Sequence, residues 1–276
     1  MPTFSTEERQ LLHDSLNDYL ATSYPFEHVR RIMKAGDTPG FDRAAWSKYA
    51  ELGWLGVAMP ESAGGAGGGA TELGIVMAAA GRHLALEPLL ATLGLGATAV
   101  RYAGRPDQQH HLARVAEGTL MLALCHREPK GGFARDYVRT VARPMGAGFV
   151  LDGEKAFEIG AHEADELIVS ARVGSSEGPV RLFLIPRASD GLSLTVAPSL
   201  DGRVGAAARL SGVVAGRERI LGEADGDATS VLDVVHDWGI AAVCAEAAGA
   251  MAAATEQTVA YLKTRQQFGQ PLARFQ

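Results

Sequence analysis

The chain has 276 residues, 47% of them hydrophobic and 21% charged, with a net charge of −6, which is enough for two domains or one large one around a real core. The acidic balance, with no Lys/Arg cluster, excludes a nucleic-acid surface. The distant cysteines Cys125 and Cys244 carry no metal-ligand spacing and read as reduced thiols. The opening "MPTFSTEERQ" lacks the apolar core of a secretory signal and no run approaches membrane-spanning length, so the expectation is a cytoplasmic protein without a membrane partner.

The first third reads as helices. "STEE" at Ser5–Glu8 is a capping box, followed by Leu11, Leu12, Leu16 and Tyr19/Leu20 at helical spacing. "FDRAAWSKYAELG" places Phe41, Trp46, Tyr49 and Leu52 on one side and stops at Gly53. "TELGIVMAAAGRHLA", "EPLLATLGLGATAVRYAG" and the shorter "PDQQHHLARVAEGT" complete a helical domain over residues 1–120. Strand signals fill 121–226. Asp152-Gly153 in "GFVLDGEKAF" predicts a hairpin turn, and "DELIVSARV", "VRLFLIPR", "LSLTVA" and "AARLSGVVAG" complete an antiparallel set. From 227 to 276 one long Ala-rich helix runs to "YLKTR", with a stripe through Val243, Ala247, Met251, Ala254 and Tyr261 that a second helix can approach closely. The fold class is therefore α+β and multidomain: a helical domain, a middle antiparallel β-domain, and one long helix that needs partners.

"GAGGGA" at Gly65–Ala70 fits a dinucleotide-binding pattern, but Pro60 spoils the strand it needs and no βαβ alternation follows, so a flexible inter-helix loop is the better reading. His110-His111 reads as a solvated helix face, not as a metal site, because adjacent helical positions diverge. His126-Arg127-Glu128, following the apolar "LMLAL", marks a strand end opening onto something polar. No G-x-S-x-G elbow supports a hydrolase triad there.

"YLKTRQQFGQPLARFQ" resembles the acyl-CoA dehydrogenase family, whose "Y-x-x-x-R-x-Q-F-G-x-P-[IL]-x-x-F-Q" ends the first helix of the C-terminal helical bundle and opens the second, which implies that the long helix is the first of that bundle, with the start of the next. "LGWLGVAMPESAGGAGGG", "REP" at Arg127–Pro129 and "VLDGEK" resemble further family segments in the same order. The resemblance spans the chain. It implies α,β-dehydrogenation of an acyl-CoA: a carboxylate removes the α-proton while a hydride passes to FAD, with electron-transfer flavoprotein as acceptor. The usual glutamate base is expected beyond Gln276, and the alternative position in the long helix falls on Gly239, which cannot serve.

Departures from the family pattern set the remaining expectations. In the flavin wall "TEP-x-x-GSD" reads "REPKGGFA": Arg127 replaces Thr, Gly132 is kept, and Phe133 stands where a Ser contacts acyl-CoA. In the second segment Phe157 can still stack, while Ile159 replaces a hydroxyl. Unmatched flavin polar atoms cost about 1–3 kcal/mol each when buried. Leu124 and His126, on the same strand end, belong with the cofactor contacts, and Asp237, two residues off the register of Gly239, with the substrate contacts. Arg265, Gln267 and Phe268 are all present, and in the family this segment reaches across to a neighbour's FAD. Donation kept and wall eroded together resemble the small subunits of heteromeric acyl-CoA dehydrogenases of the pimeloyl-CoA and steroid-CoA type. A homotetramer with an unusual flavin wall and a flavin-free structural paralogue are the alternatives.

Overall fold

The computed structural model describes residues 4–34, 40–223 and 226–275; Gln276, the last residue of the C-terminal motif, lies outside them. The helical part comprises α1 (Thr6–Ser23), α2 (Phe26–Lys34), α3 (Arg43–Glu51), α4 (Ala70–His83), a π-helical stretch Leu90–Ala97 continuing into α5 (Thr98–Ala103), and α6 (His110–Ala116). The capping box forms as the sequence demands: the Ser5 hydroxyl accepts from Glu8 N–H at 3.2 Å and the Glu8 carboxylate from Ser5 N–H at 2.7 Å. Asp42 caps α3 through Ala44 N–H, and Gly53, at φ 75°, turns the chain out of it. Trp46, Tyr49, Trp54, Leu16 and Leu20 pack into the core beneath these helices.

The glycine loop before α4 is ordered and tightly self-bonded. The N–H groups of Gly65, Ala66, Gly67 and Gly68 donate to the carbonyls of Pro60, Gly56, Met59 and Val57, leaving none of the four for a phosphate. A Cβ on Gly65 would run into Met59 O, so glycine here serves close backbone approach.

The middle sheet comprises β1 (Leu122–Cys125), β2 (Val141–Met145), β3 (Gly148–Ile159), β4 (Glu166–Val173), β5 (Val180–Pro186), β6 (Leu192–Pro198), β7 (Val204–Gly216) and β8 (Ile220–Leu221). The strand order is β6-β7-β3-β2-β4-β5-β8, with β1 also on β4. The sheet is mixed, where an all-antiparallel set was expected: β1 and β2 both run parallel to β4. The expected turn at Asp152-Gly153 is also corrected. β3 passes straight through these residues, and β2 and β3 join at Met145–Gly148, where Gly146 takes φ 57°. Asp152 instead sits at a bulge against β7, its carboxylate accepting from Gly212 N–H at 2.8 Å. Gly153 is there because a Cβ would collide with Thr140 Oγ1.

The last long element, α7, spans Thr229–Thr264. It lies on α4 through glycines: a Cβ on Gly81 would strike Glu246 O, and one on Gly249 would strike Ala78 O. Its inward face is Leu232, Val235, Gly239, Ala242 and Gly249. The stripe through Val243, Met251 and Tyr261 lies on the side of α7 away from α4 and is exposed. By length and composition α7 is apolar enough to cross a membrane, contrary to the expectation that no run reaches that length. One such helix is weak support for a span, since the core helix of a soluble protein passes the same test. The chain then forms a small hairpin, β9 (Gln266–Gln267) and β10 (Gln270–Pro271).

Candidate cofactor wall and the distant hairpin

β1 ends at Cys125, and the polar triplet that follows is drawn under the sheet by a buried charge. Lys155 on β3 is completely enclosed. Its ammonium donates to Glu128 Oε1 at 2.8 Å and Ser170 Oγ at 3.1 Å. Glu128 also accepts from Thr140 N–H, Thr140 Oγ1 and Arg139 N–H. Burial pushes the Glu128 carboxyl up, but Lys155 and the Thr140 donors outweigh it and hold it below the usual carboxylate range. Burial lowers Lys155 against the opposing pull of Glu128. His126 Nε2 faces Arg135 O at 2.7 Å, so the proton sits on Nε2, and Nδ1 accepts from the Ser170 hydroxyl at 2.9 Å. Burial lowers His126 to about 4, keeping the ring neutral near pH 7. Its ring also meets that of His236 on α7, with centroids 5.3 Å apart.

This network welds the two segments named as the flavin wall. Ala156 N–H donates to Arg127 O at 2.8 Å, so Arg127 lies directly beside Phe157 and Glu158. Arg127 does not present an open guanidinium. Its Nη2 donates to Phe157 O at 2.6 Å and to Glu158 Oε2 at 3.3 Å, while Nε and the backbone N–H both meet Glu158 Oε1 at 3.3 Å. The Glu158 side chain is 12% exposed, and burial raises its carboxyl despite the guanidinium. Phe157 packs on Gly205 of β7, and Ile159 faces a small cavity with Leu89, Leu90, Arg203 and Glu246. Leu124 is buried in the core, not at the wall surface.

The loop from Pro129 to Thr140 carries Gly132, at φ 56°, and Phe133, which is fully exposed. Buried groups hold this loop: His126 takes Arg135 O, and Arg172 donates to Val138 O at 3.0 Å. Asp237 is an exposed α7 residue whose carboxylate lies 3.7 Å from Arg135, linking the helix to the loop. At Gly239 the structure leaves no room for a carboxylate, since a Cβ would sit 2.7 Å from Leu95 Cδ2. Trp238 next to it closes over Arg101, whose guanidinium lies 5.4 Å from its ring.

The remaining residues of the implied set lie elsewhere. Arg265, Gln267 and Phe268 occupy the far end of α7 and are exposed. Phe268-Gly269 forms the two-residue hairpin turn, with φ 49° and 78°, and Phe268 stands 91% exposed at its tip. A left-handed Phe is strained, and tight turns that project side chains are a common setting for such strain. Arg265 follows His236, which touches His126, by 29 residues, or about 43 Å along the helix. It follows Glu246, beside Ile159, by 19 residues, or about 28 Å. The residues implied for FAD therefore fall into two groups that one copy of this chain does not bring together, and at the nearer group Arg127 is already committed. One copy of this chain does not supply both groups to a single cofactor.

Sequence reasoning missed Glu158, Ser170 and the Glu128–Lys155 pair as a unit. The signal was present in "REP" and "GEK", where charged residues sit beside apolar strand runs and a buried one demands a partner. His111 was also misjudged: it is buried, with Nε2 3.1 Å from Glu166 and Nδ1 3.0 Å from Gln108 O, because β4 covers that face of α6.

Comparison with known proteins adds to this geometry. Residues 6–119 match the acyl-CoA dehydrogenase N-terminal domain, and residues 234–276 match the acyl-CoA dehydrogenase C-terminal domain. A probable acyl-CoA dehydrogenase of Bacillus subtilis is 29% identical over 280 residues, which is 98% of this chain and 72% of that protein. Among solved structures, the Tcur3481-Tcur3483 steroid ACAD aligns at TM-score 0.84 and 30% identity, covering 97% of this chain and 70% of that one. The ChsE4-ChsE5 complex from Mycobacterium tuberculosis aligns at TM-score 0.85 and 26% identity, covering 100% of this chain and 72% of that one.

Proposed function

Because the chain belongs to the acyl-CoA dehydrogenase family of oxidoreductases acting on CH–CH bonds, we propose that it is the degenerate subunit of an FAD-dependent, heteromeric acyl-CoA dehydrogenase, a heterotetramer working in the cytoplasm. The observation that carries this reading is the commitment of Arg127 to Glu158 and Phe157 O at the chain's own wall, while Arg265 and Phe268 stay exposed at the distant hairpin. The hairpin with Arg265, Gln267 and Phe268 lies about 28–43 Å along α7 from the wall at Arg127 and Phe157. A site built from both groups needs two chains.

In this reading the chain's contribution is binding and orientation. Arg265 offers an always-charged planar donor suited to a pyrophosphate, and Phe268 offers an aromatic face. The position that holds the alternative base in some relatives is Gly239, packed under Leu95. The α-proton is therefore taken by a carboxylate other than one at 239, with an acyl-CoA thioester as substrate and electron-transfer flavoprotein as acceptor. The steroid ACAD and the ChsE4-ChsE5 complex, both aligned over nearly the whole chain, support an unlike partner.

The test is the visible spectrum and native mass of the chain purified alone and then co-expressed with a second acyl-CoA dehydrogenase subunit from the same genome. The expected result is a chain colourless alone that turns yellow in a mixed oligomer. A yellow homotetramer from the chain alone would sink the heteromer and favour the self-sufficient enzyme. A mixed oligomer without flavin would leave a structural paralogue.

A further inference from the structure

We propose that the Arg127–Glu158 pair is a seal, which keeps FAD off this chain's own wall and confines the cofactor to the site served by the distant hairpin. This rests on the heteromeric reading above and adds the device that makes the two sites unequal.

Arg127 commits three of its donor groups at the wall. Its backbone N–H, Nε and Nη2 end on the two oxygens of Glu158 or on Phe157 O. The Glu158 carboxylate thus takes up Arg127 donors that would otherwise face a ligand, and the pair spans both wall segments. The segments cannot separate to make room, because Ala156 N–H to Arg127 O ties them and enclosed Lys155 anchors both through Glu128 and the His126 carbonyl.

Admitting a flavin requires the guanidinium to leave Glu158. Arg127 is more than half exposed and water can take it up, but Glu158 is not, and stays behind as an enclosed carboxylate without its cation. The other buried cation nearby, Lys155, is already held by Glu128. A carboxylate facing the ring also opposes the negative charge that a flavin gains on reduction. Binding and reduction at this wall are both disfavoured by the same residue.

The experiment titrates the full chain, alone, with FAD and follows flavin fluorescence and absorbance. The wild-type chain is expected to show no saturable uptake in the micromolar range. The double variant R127T/E158I, which removes the pair, is expected to bind at least about tenfold tighter, a conservative figure beside the cost of an unpaired enclosed charge. Glu158→Gln keeps the size and removes the charge. It is expected to gain in the same direction, and it decides the matter where the double variant does not fold. In the mixed oligomer either variant should raise flavin content above that of the wild type. Stoichiometric FAD uptake by the wild-type chain alone would overturn the seal. So would unchanged flavin content in both variants of a complex that is itself yellow, an outcome that leaves the heteromeric reading standing. A complex colourless in every form overturns both.

Discussion

Replacing Lys155 by Met tests the central claim about the wall, that a buried ion pair welds its two segments. The ammonium is fully enclosed and Glu128 nearly so, and they meet at 2.8 Å. Removing one partner of such a pair costs about 3–5 kcal/mol, because the other charge is left enclosed. Three donors remain on Glu128, from Thr140 and Arg139, which places the expectation at the lower end, near 3 kcal/mol. At roughly 2–4 °C per kcal/mol for a chain of this size, Tm should fall by about 6–12 °C. Urea denaturation followed by far-UV circular dichroism measures this directly. Glu128 is held below its unfolded value, so its contribution is present above that value and lost as pH falls through the folded one. The gap between wild type and variant should therefore narrow once the pH drops below roughly 4. The charge-free double variant E128Q/K155M should recover at least part of the loss. A change below about 1 kcal/mol for Lys155→Met, the range of an exposed pair, would refute the reasoning.

Glu87 is enclosed and accepts from Tyr24 and Tyr49 at 3.1 Å each, and burial lifts its carboxyl to about 7. The folded state then holds a proton that the unfolded chain has released, so this contribution is present below the unfolded value and lost as pH rises through 7. Glu87→Gln should remove up to about 3 kcal/mol of that slope, read by chemical denaturation at mildly acidic and neutral pH, and an unchanged slope would show that Glu87 is not its source. Gly81→Ala should separate α4 from α7, because its Cβ meets Glu246 O, with a loss of about 1–3 kcal/mol or more in thermal unfolding. An unaffected Tm would mean that the two helices are not packed as closely as described.

Local chemistry was the legible part of this fold. The capping box at Ser5, the stop at Gly53 and the strand runs of β4 to β7 are each written in a few adjacent residues. What failed depended on distant partners. Asp152-Gly153 has the composition of a turn, but Gly212 and Thr140, some sixty and twelve residues away, hold it in a straight strand. The parallel neighbours of β4 come from pairings across loops that no local pattern encodes. At the site, Arg127, Phe157 and Ile159 were identified by motif, but their state was not. That Arg127 is spent on Glu158 follows from a residue that the motif treats as an ordinary apolar position. Gly239, by contrast, was excluded as a base by its side chain alone, and Leu95 packed against it agrees.

The bare outer face of α7 also bears on biogenesis. From Ile240 to Met251 the helix shows the solvent Ile240, Val243, Cys244 and Met251 and no exposed acid or base. An apolar helix face of this kind, wherever it is left uncovered, is the sort of surface that aggregates or is held by chaperones. Whatever shields that face is thus also a stabiliser of the newly made polypeptide.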